Sequence, residues 1–345
     1  MIKITYLLGA GASFNALPIV SAIPDEILVV LERLNPYKIS AERDYGQNMR
    51  NDEFLQNLND IDIVIQDLRF LLDGCRRHRS MDTFAHSFFL NKEEDEYRRV
   101  KNCIILFFEL YSFFFPDKID KRYDAFLNKV LNRDSPKFPK NINVLSWNYD
   151  YEFEKAFEKY SSKEIANCYD EINTTHKYSR KNPSEFDYCN FIKLNGTVGY
   201  FDDENKISLG LGLTGIKGHG NVITTLEFIR LVKNYMSRKD NLKPAISFSW
   251  EQPDELLSEK IENIMYFTDI LIIIGYSFPD FNRKLDKMIL ASRNSKLHKI
   301  IIQDKDFNSV KSEIIMYRHD FEWENTSISE YANLDRFLIP HEFDV

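Results

Sequence analysis

Gly9, Ala10, Gly11 and Ser13 directly follow the apolar run Ile4-Thr5-Tyr6-Leu7-Leu8, so a strand ends in a glycine turn. Glycines there permit a tight turn and let backbone N–H groups approach an anion such as a pyrophosphate, while Ser13 can cap the next turn or bind phosphate itself. Phe14 stands where the third glycine of a G-x-G-x-x-G motif falls, and a bare turn after a buried strand explains these residues equally well. Three more apolar runs end in polar residues able to hold a ligand or move a proton. Asn148 and Asp150 follow Ile142-Asn143-Val144-Leu145; Asn195 follows Phe191-Ile192-Lys193-Leu194; Gly275 and Ser277 follow Ile270-Leu271-Ile272-Ile273-Ile274. Gln303 and Asp304 close a fourth run, Lys299-Ile300-Ile301-Ile302. Each has a local explanation too: Asn148 and Asp150 as helix caps, Asn195-Gly196 as a turn, Pro279-Asp280 as a helix start.

The elements that must position these residues fall into two kinds. Residues 35–140 carry almost no strand signal, and Leu55, Leu58, Ile61, Ile65, Leu68 and Leu72 recur at helical spacing, as do Phe84, Phe88, Cys103, Phe107 and Leu110. Tyr123, Phe126, Leu127 and Val130 form a last helix before the Pro136 and Pro139 breakers. From Asn141 short β-branched runs alternate with helical stretches, the pattern of a parallel sheet covered on both faces. The expected fold is therefore α/β, a Rossmann-like, doubly wound and mostly parallel sheet over residues 1–34 and 141–345, with a helical insertion module at 35–140. Ligands of such sheets bind beyond the carboxyl ends of the strands.

Taken in order, G-A-G-x-S, a helical module, N-x-D, K-L-x-G and G-x-S resemble the sirtuin-like NAD-binding family over nearly the whole chain outside the helical module. Ser-Trp-Asn-Tyr-Asp is similar to the family's T-Q-N-x-D, and Lys-Leu-Asn-Gly-Thr to its K-L-H-G-S. The resemblance implies that Ala10, Gly11 and Ser13 hold the pyrophosphate, with Gly9 beside them in the cofactor site. It sets Asn148 beside the nicotinamide ribose, Asp150 on the carboxamide, Gly275 and Ser277 at the adenosine end, and Gln303 or Asp304 at the adenine ribose or ring. Two departures follow. The family's deacylases hold zinc with C-x-x-C pairs, absent here, so no zinc is expected; and its catalytic histidine is replaced by Asn195, which cannot accept a proton at neutral pH.

Cleavage of the nicotinamide–ribose bond survives that replacement best, because nicotinamide leaves as a neutral molecule and water can attack an oxocarbenium-like centre without full deprotonation. The resemblance thus points to a zinc-less NAD hydrolase of the bacterial immune-effector kind, with NAD as substrate. A module that binds NAD or ADP-ribose and reports it to a partner is the rival reading, and a protein deacylase a distant third.

With 43% apolar residues the 345-residue chain can fill a large core, and a net charge of −8 argues against a protein that wraps nucleic acid. The apolar stretch from Cys103 to Phe115 is broken by Glu109 and falls short of the roughly 20 residues of a membrane span. No secretory leader is evident, so a cytoplasmic location is expected. Cys75, Cys103, Cys168 and Cys189 are scattered and read as small buried hydrophobes. A glycine-rich loop at 210–220 carries His219, readable as a lid over the nicotinamide pocket or, more simply, as a solvent-exposed turn. Arg76-Arg77-His78-Arg79 and Arg98-Arg99-Lys101 read as solvated or paired with Glu93, Glu94, Asp95 and Glu96. Self-association and a protein partner encoded nearby are compatible with the apolar helical module; nothing in the sequence identifies either.

Overall fold

The computed structural model describes residues 1–47, 52–131, 138–161, 174–176, 191–201, 207–208, 225–251, 255–291, 296–318 and 326–343. Its strands are β1 (Ile4–Leu8), β2 (Ile142–Ser146), β3 (Thr174–His176), β4 (Phe191–Lys193), β5 (Gly196–Phe201), β6 (Ile207–Ser208), β7 (Lys243–Ile246), β8 (Ile270–Ile274), β9 (Lys299–Gln303) and β10 (Ser327–Glu330). Seven of them form one sheet in the order β10-β9-β8-β1-β2-β4-β3, with every pair parallel. The other three form a small sheet, β6-β5-β7.

The helices before β2 are α1 (Ile23–Gln47), α2 (Asp52–Arg77), α3 (Met81–Asn91), α4 (Glu94–Phe114) and α5 (Lys121–Val130). After it come α6 (Glu152–Ser161), α7 (Thr225–Lys239), α8 (Glu255–Tyr266), α9 (Arg283–Ala291) and α10 (Phe307–Arg318). Side chains alternate across a strand, so the large sheet buries two faces. Ile4, Tyr6 and Leu8 share a core with Phe126 and Leu127 of α5 and Phe153 and Phe157 of α6. Leu7, Leu271 and Ile273 share another with Ile261 of α8, Ile289 of α9 and Ile314 of α10. Helices on both faces of a parallel sheet make this a doubly wound α/β fold.

The chain divides into two compact units, one of residues 1–17, 119–197 and 247–345, the other of 18–118 and 198–246. The sequence reading drew the helical module at 35–140, because α5 is as amphipathic as the helices before it. Its partners decide otherwise, since its apolar face meets β1.

Within the second unit α2 presents Ile61, Val64, Leu68 and Leu71 inward, and buries Asp67 among them. Asp67 accepts from the Tyr235 hydroxyl at 2.8 Å and pairs with Arg99 at 2.9 Å. Arg98 donates to the carbonyls of Lys239, Asp240 and Leu242, a cation at the negative end of α7. Arg98 and Arg99 thus serve α7 and α2, where the sequence alone offered solvent or the acidic residues at 93–96. No described helix is long and apolar enough to cross a membrane.

Glu109 sits on the buried stretch of α4, and burial pushes its carboxyl up to about 7 against the partial pull of Arg238. Below its ordinary value of 4.5 the group is protonated folded and unfolded alike. Above that the unfolded chain releases the proton while the folded one keeps it, so the contribution of Glu109 to stability is full in acid and is lost by about pH 7, a change of about 3 kcal/mol from this group. Glu109→Gln should remove this group's share and flatten the slope, leaving that of buried Glu152, Glu154 and Asp286. Denaturant midpoints of both proteins at about pH 5 and about pH 8 check it, and parallel pH curves would refute it.

Candidate functional site

Parallel register brings the ends of the strands level. Leu8 pairs with Ser146 and Ile274, Ser146 with Lys193, and Ile274 with Gln303. Gly9, Trp147, Leu194, Gly275 and Asp304 therefore leave the sheet along one edge, its carboxyl edge. β1 lies where the winding reverses, with β2 on one side and β8 on the other. That switch point is where doubly wound sheets take ligands.

Ala10–Ser13 form one turn of 3-10 helix. Ala10 is exposed, Gly11 half-buried and Ser13 buried. The Gly9 N–H donates to the Ile274 carbonyl at 2.9 Å and the Gly11 N–H to the Gly275 carbonyl at 3.0 Å. A Cβ on Gly9 would lie 2.4 Å from the Gly275 carbonyl oxygen, and one on Gly11 2.7 Å from the Gly275 Cα. Gly275 is itself left-handed, at φ +61°, and a Cβ there would come 2.4 Å from Gly11. The close approach these glycines permit is thus, first of all, that of the β8 loop to the β1 loop.

Asn148 reaches across to the same turn, its Nδ2 donating to the Gly9 carbonyl at 2.9 Å and to Ser13 Oγ at 3.2 Å. Ser13 Oγ lies 3.0 Å from the Tyr123 hydroxyl. Asn148 is therefore a tie between loops, and the helix-start contact belongs to Asp150, whose Oδ1 accepts from the Glu152 N–H at 3.0 Å. Lys193, 1% exposed, pairs with buried Glu154 at 2.8 Å, donates to the Asp150 carbonyl, and reaches Thr197 Oγ1 at 3.3 Å. Burial raises the Glu154 carboxyl above its ordinary range, and the Lys193 charge opposes the rise.

Asn195 is buried beside this ammonium's strand, its Nδ2 3.4 Å from the Trp147 carbonyl and its own carbonyl accepting from the Ser247 N–H at 2.8 Å. Among the described residues its side-chain Oδ1 has no hydrogen-bond partner, and neither has the indole Nε1 of buried Trp147. One acceptor and one donor thus stand unsatisfied on the strand-end row, the condition of groups that meet a polar ligand or water. The Trp147 ring stacks on Tyr276 at 5.5 Å, joining the β2 and β8 loops.

The remaining residues diverge. Gly275 touches the glycine turn, while Ser277 is exposed just before Phe278, itself at φ +53°. Gln303 is buried with its amide engaged at both ends. Nε2 donates to the Asn333 and Arg336 carbonyls, both at 2.6 Å, and Oε1 accepts from the Leu338 N–H at 3.2 Å. It braces the 333–338 segment. Asp304 is half-buried and accepts from the Asp306 N–H at 2.8 Å, opening α10. Of these two, Asp304 is the one with surface to offer.

Sequence reasoning missed Trp147, which announces itself only through its unpaired donor, and Asp120 and Arg122, which lie far from every motif. Among the described residues no three histidines, cysteines or carboxylates gather as a metal site, and Cys75 and Cys103 are buried free thiols. Cys168, Cys189 and the 210–220 loop with His219 lie outside the described residues.

No family model and no curated protein matches this chain. Among solved structures, Sir2Tm bound to a propionylated peptide aligns over 96% of this chain and 89% of its own, with 13% identity and a TM-score of 0.39. The fold assignment stands on the strand order and register.

Proposed function

We propose that the carboxyl edge of the large sheet binds NAD and that the protein hydrolyses its nicotinamide–ribose bond, yielding nicotinamide and ADP-ribose in a NAD-depleting role in bacterial antiviral defence. The observation that carries this reading is the shared edge. The glycine turn, Asn148, Asn195 and Gly275 come from strands far apart in sequence and converge by register at the switch point. The resemblance to the sirtuin-like motifs supplies the ligand and, for the zinc-less immune-effector branch, the role.

In this reading the exposed side of Ala10 and Gly11 takes the pyrophosphate, with Gly275 and Ser277 toward the adenosine and Asp304 nearest the adenine ribose. Asp150 meets the carboxamide. The C–N bond breaks with its electron pair leaving on nicotinamide, water adds to the anomeric carbon, and its proton passes to solvent. Asn195 Oδ1 orients that water or a ribose hydroxyl as an acceptor; it is not a base, and the missing base costs about 10²–10⁴-fold in rate.

The rival, a sensor that binds NAD or ADP-ribose without turning it over, is favoured by Asn195 itself. Detection of free nicotinamide after incubation with NAD, set beside calorimetry with ADP-ribose, separates the two. Nicotinamide release supports the hydrolase, binding without release the sensor, and neither refutes both. Asn148→Ala is expected to stop nicotinamide release while costing about 0.5–1.5 kcal/mol of stability, because the Gly9 carbonyl loses its side-chain donor but keeps the Ala12 N–H. Full turnover in a folded Asn148→Ala protein would remove Asn148 from the site.

A further inference from the structure

The Gly9, Gly11 and Ala12 N–H groups are spent on the Ile274, Gly275 and Gly9 carbonyls, and the buried carbonyls of the same turn need donors of their own. Asn148 serves the Gly9 carbonyl, and the side-chain donor to the Gly11 and Ala12 carbonyls comes from the start of α5. Arg122 Nη2 donates to the Gly11 carbonyl at 3.1 Å and the Ala12 carbonyl at 2.9 Å, and Nη1 reaches the Leu334 carbonyl at 3.3 Å. Asp120 holds the guanidinium through Nε at 2.8 Å and accepts from the Asn15 N–H and Nδ2, each at 3.4 Å. Tyr123 adds its hydroxyl to Ser13 at 3.0 Å. Three residues of one helical turn therefore grip positions 11, 12, 13 and 15.

We infer that the first turn of α5 is a seat for the glycine turn, with Arg122 its positioning residue. The purpose assigned to the seat rests on the nucleotide reading above. Arg122 is 4% exposed and Asp120 1%, so the cation is neutralised within the protein and does not itself meet a phosphate. A planar fork suits the task, since donors on three nitrogens fixed in one plane serve three carbonyls and a carboxylate together, whereas an ammonium's three donors all radiate from one nitrogen. Phe14 now has a reason to occupy the third-glycine position, because its ring covers the guanidinium at 4.4 Å.

Arg122→Lys retains a charge for Asp120 but loses the fork. The double change Arg122→Leu with Asp120→Leu removes both charges and leaves neither buried alone. Both proteins are expected to keep a folded sheet by circular dichroism. Amide hydrogen exchange across residues 9–14 should quicken about tenfold in the ligand-free variants, and ADP-ribose affinity by calorimetry should fall by a similar factor, as loss of one to two hydrogen bonds implies. Wild-type exchange rates at 9–14 in both folded variants would overturn the seat. Faster exchange with unchanged ADP-ribose affinity would overturn its service to the nucleotide. Should the wild-type protein bind no ADP-ribose, the nucleotide reading fails by itself, and the exchange rates still decide whether α5 positions the turn.

Discussion

A Gly11→Val protein is expected to lose ADP-ribose binding by more than about 100-fold and to lose stability with it, even when no ligand is present. The added Cβ would stand 2.7 Å from the Gly275 Cα, and backbone cannot swing aside as a flexible side chain can. Forcing the β1 and β8 loops apart costs on the order of 1–3 kcal/mol, in the manner of any overpacked contact. It also displaces the Gly11 N–H from the Gly275 carbonyl. Gly275→Ala should behave alike although it alters no residue of the glycine turn, since it adds left-handed strain of about 1–2 kcal/mol to its own collision with Gly11. Thermal unfolding of the free proteins and calorimetry with ADP-ribose check the pair. A Gly11→Val protein as stable as wild type and binding as tightly would mean that the two loops do not meet as described.

Asn195→His is expected to raise nicotinamide release by up to about 10²–10⁴-fold, because an imidazole at this strand end can accept a proton near neutral pH. The position favours the experiment. Asn195 already has an unpartnered Oδ1 beside the β2 loop, so a ring introduced there displaces no hydrogen bond of that atom. If the wild-type protein is a sensor, this one change should create turnover. If it already hydrolyses NAD, Asn195→Ala should slow release and leave ADP-ribose affinity nearly intact. Indifference of binding and turnover to both substitutions would place Asn195 outside the nicotinamide pocket.

Much of this was legible in the sequence because period-two and period-3.6 patterns report burial. Ile270–Ile274 is apolar throughout, the mark of a strand buried on both faces, and the structure sets it inside the sheet between β9 and β1. The strands β3, β5, β6, β7 and β10 were missed; Thr174–His176 and Ser327–Glu330 lie at the large sheet's two ends and lack a long apolar run, and β5, β6 and β7 make up the small sheet. Polar residues at strand ends were found by position alone, yet their bonds were not. Asn148 was equally a cap and a site residue until its Nδ2 was seen to bridge Gly9 and Ser13. Gln303 looked like a ligand contact and braces a loop, because nothing in a sequence says which backbone will come within reach of an amide. Arg122 was illegible for the same reason, its partners lying more than a hundred positions upstream and two hundred downstream.

The order of the strands also sets a timetable. β1 is the hub of the sheet, and its neighbours are β2 and β8, whose residues Ile142 and Ile270 pair with Ile4. At ribosomal rates of about 5–20 residues per second, an emerged β1 waits on the order of tens of seconds before Ile274 is made. Through that interval this mostly apolar strand has at least one open side of unpaired N–H and C=O groups, a template for pairing with other chains. The residues that bring the chemistry together are thus also those that leave the nascent protein longest in need of shelter, and its yield in cells should depend on chaperones more than on the stability of the finished fold.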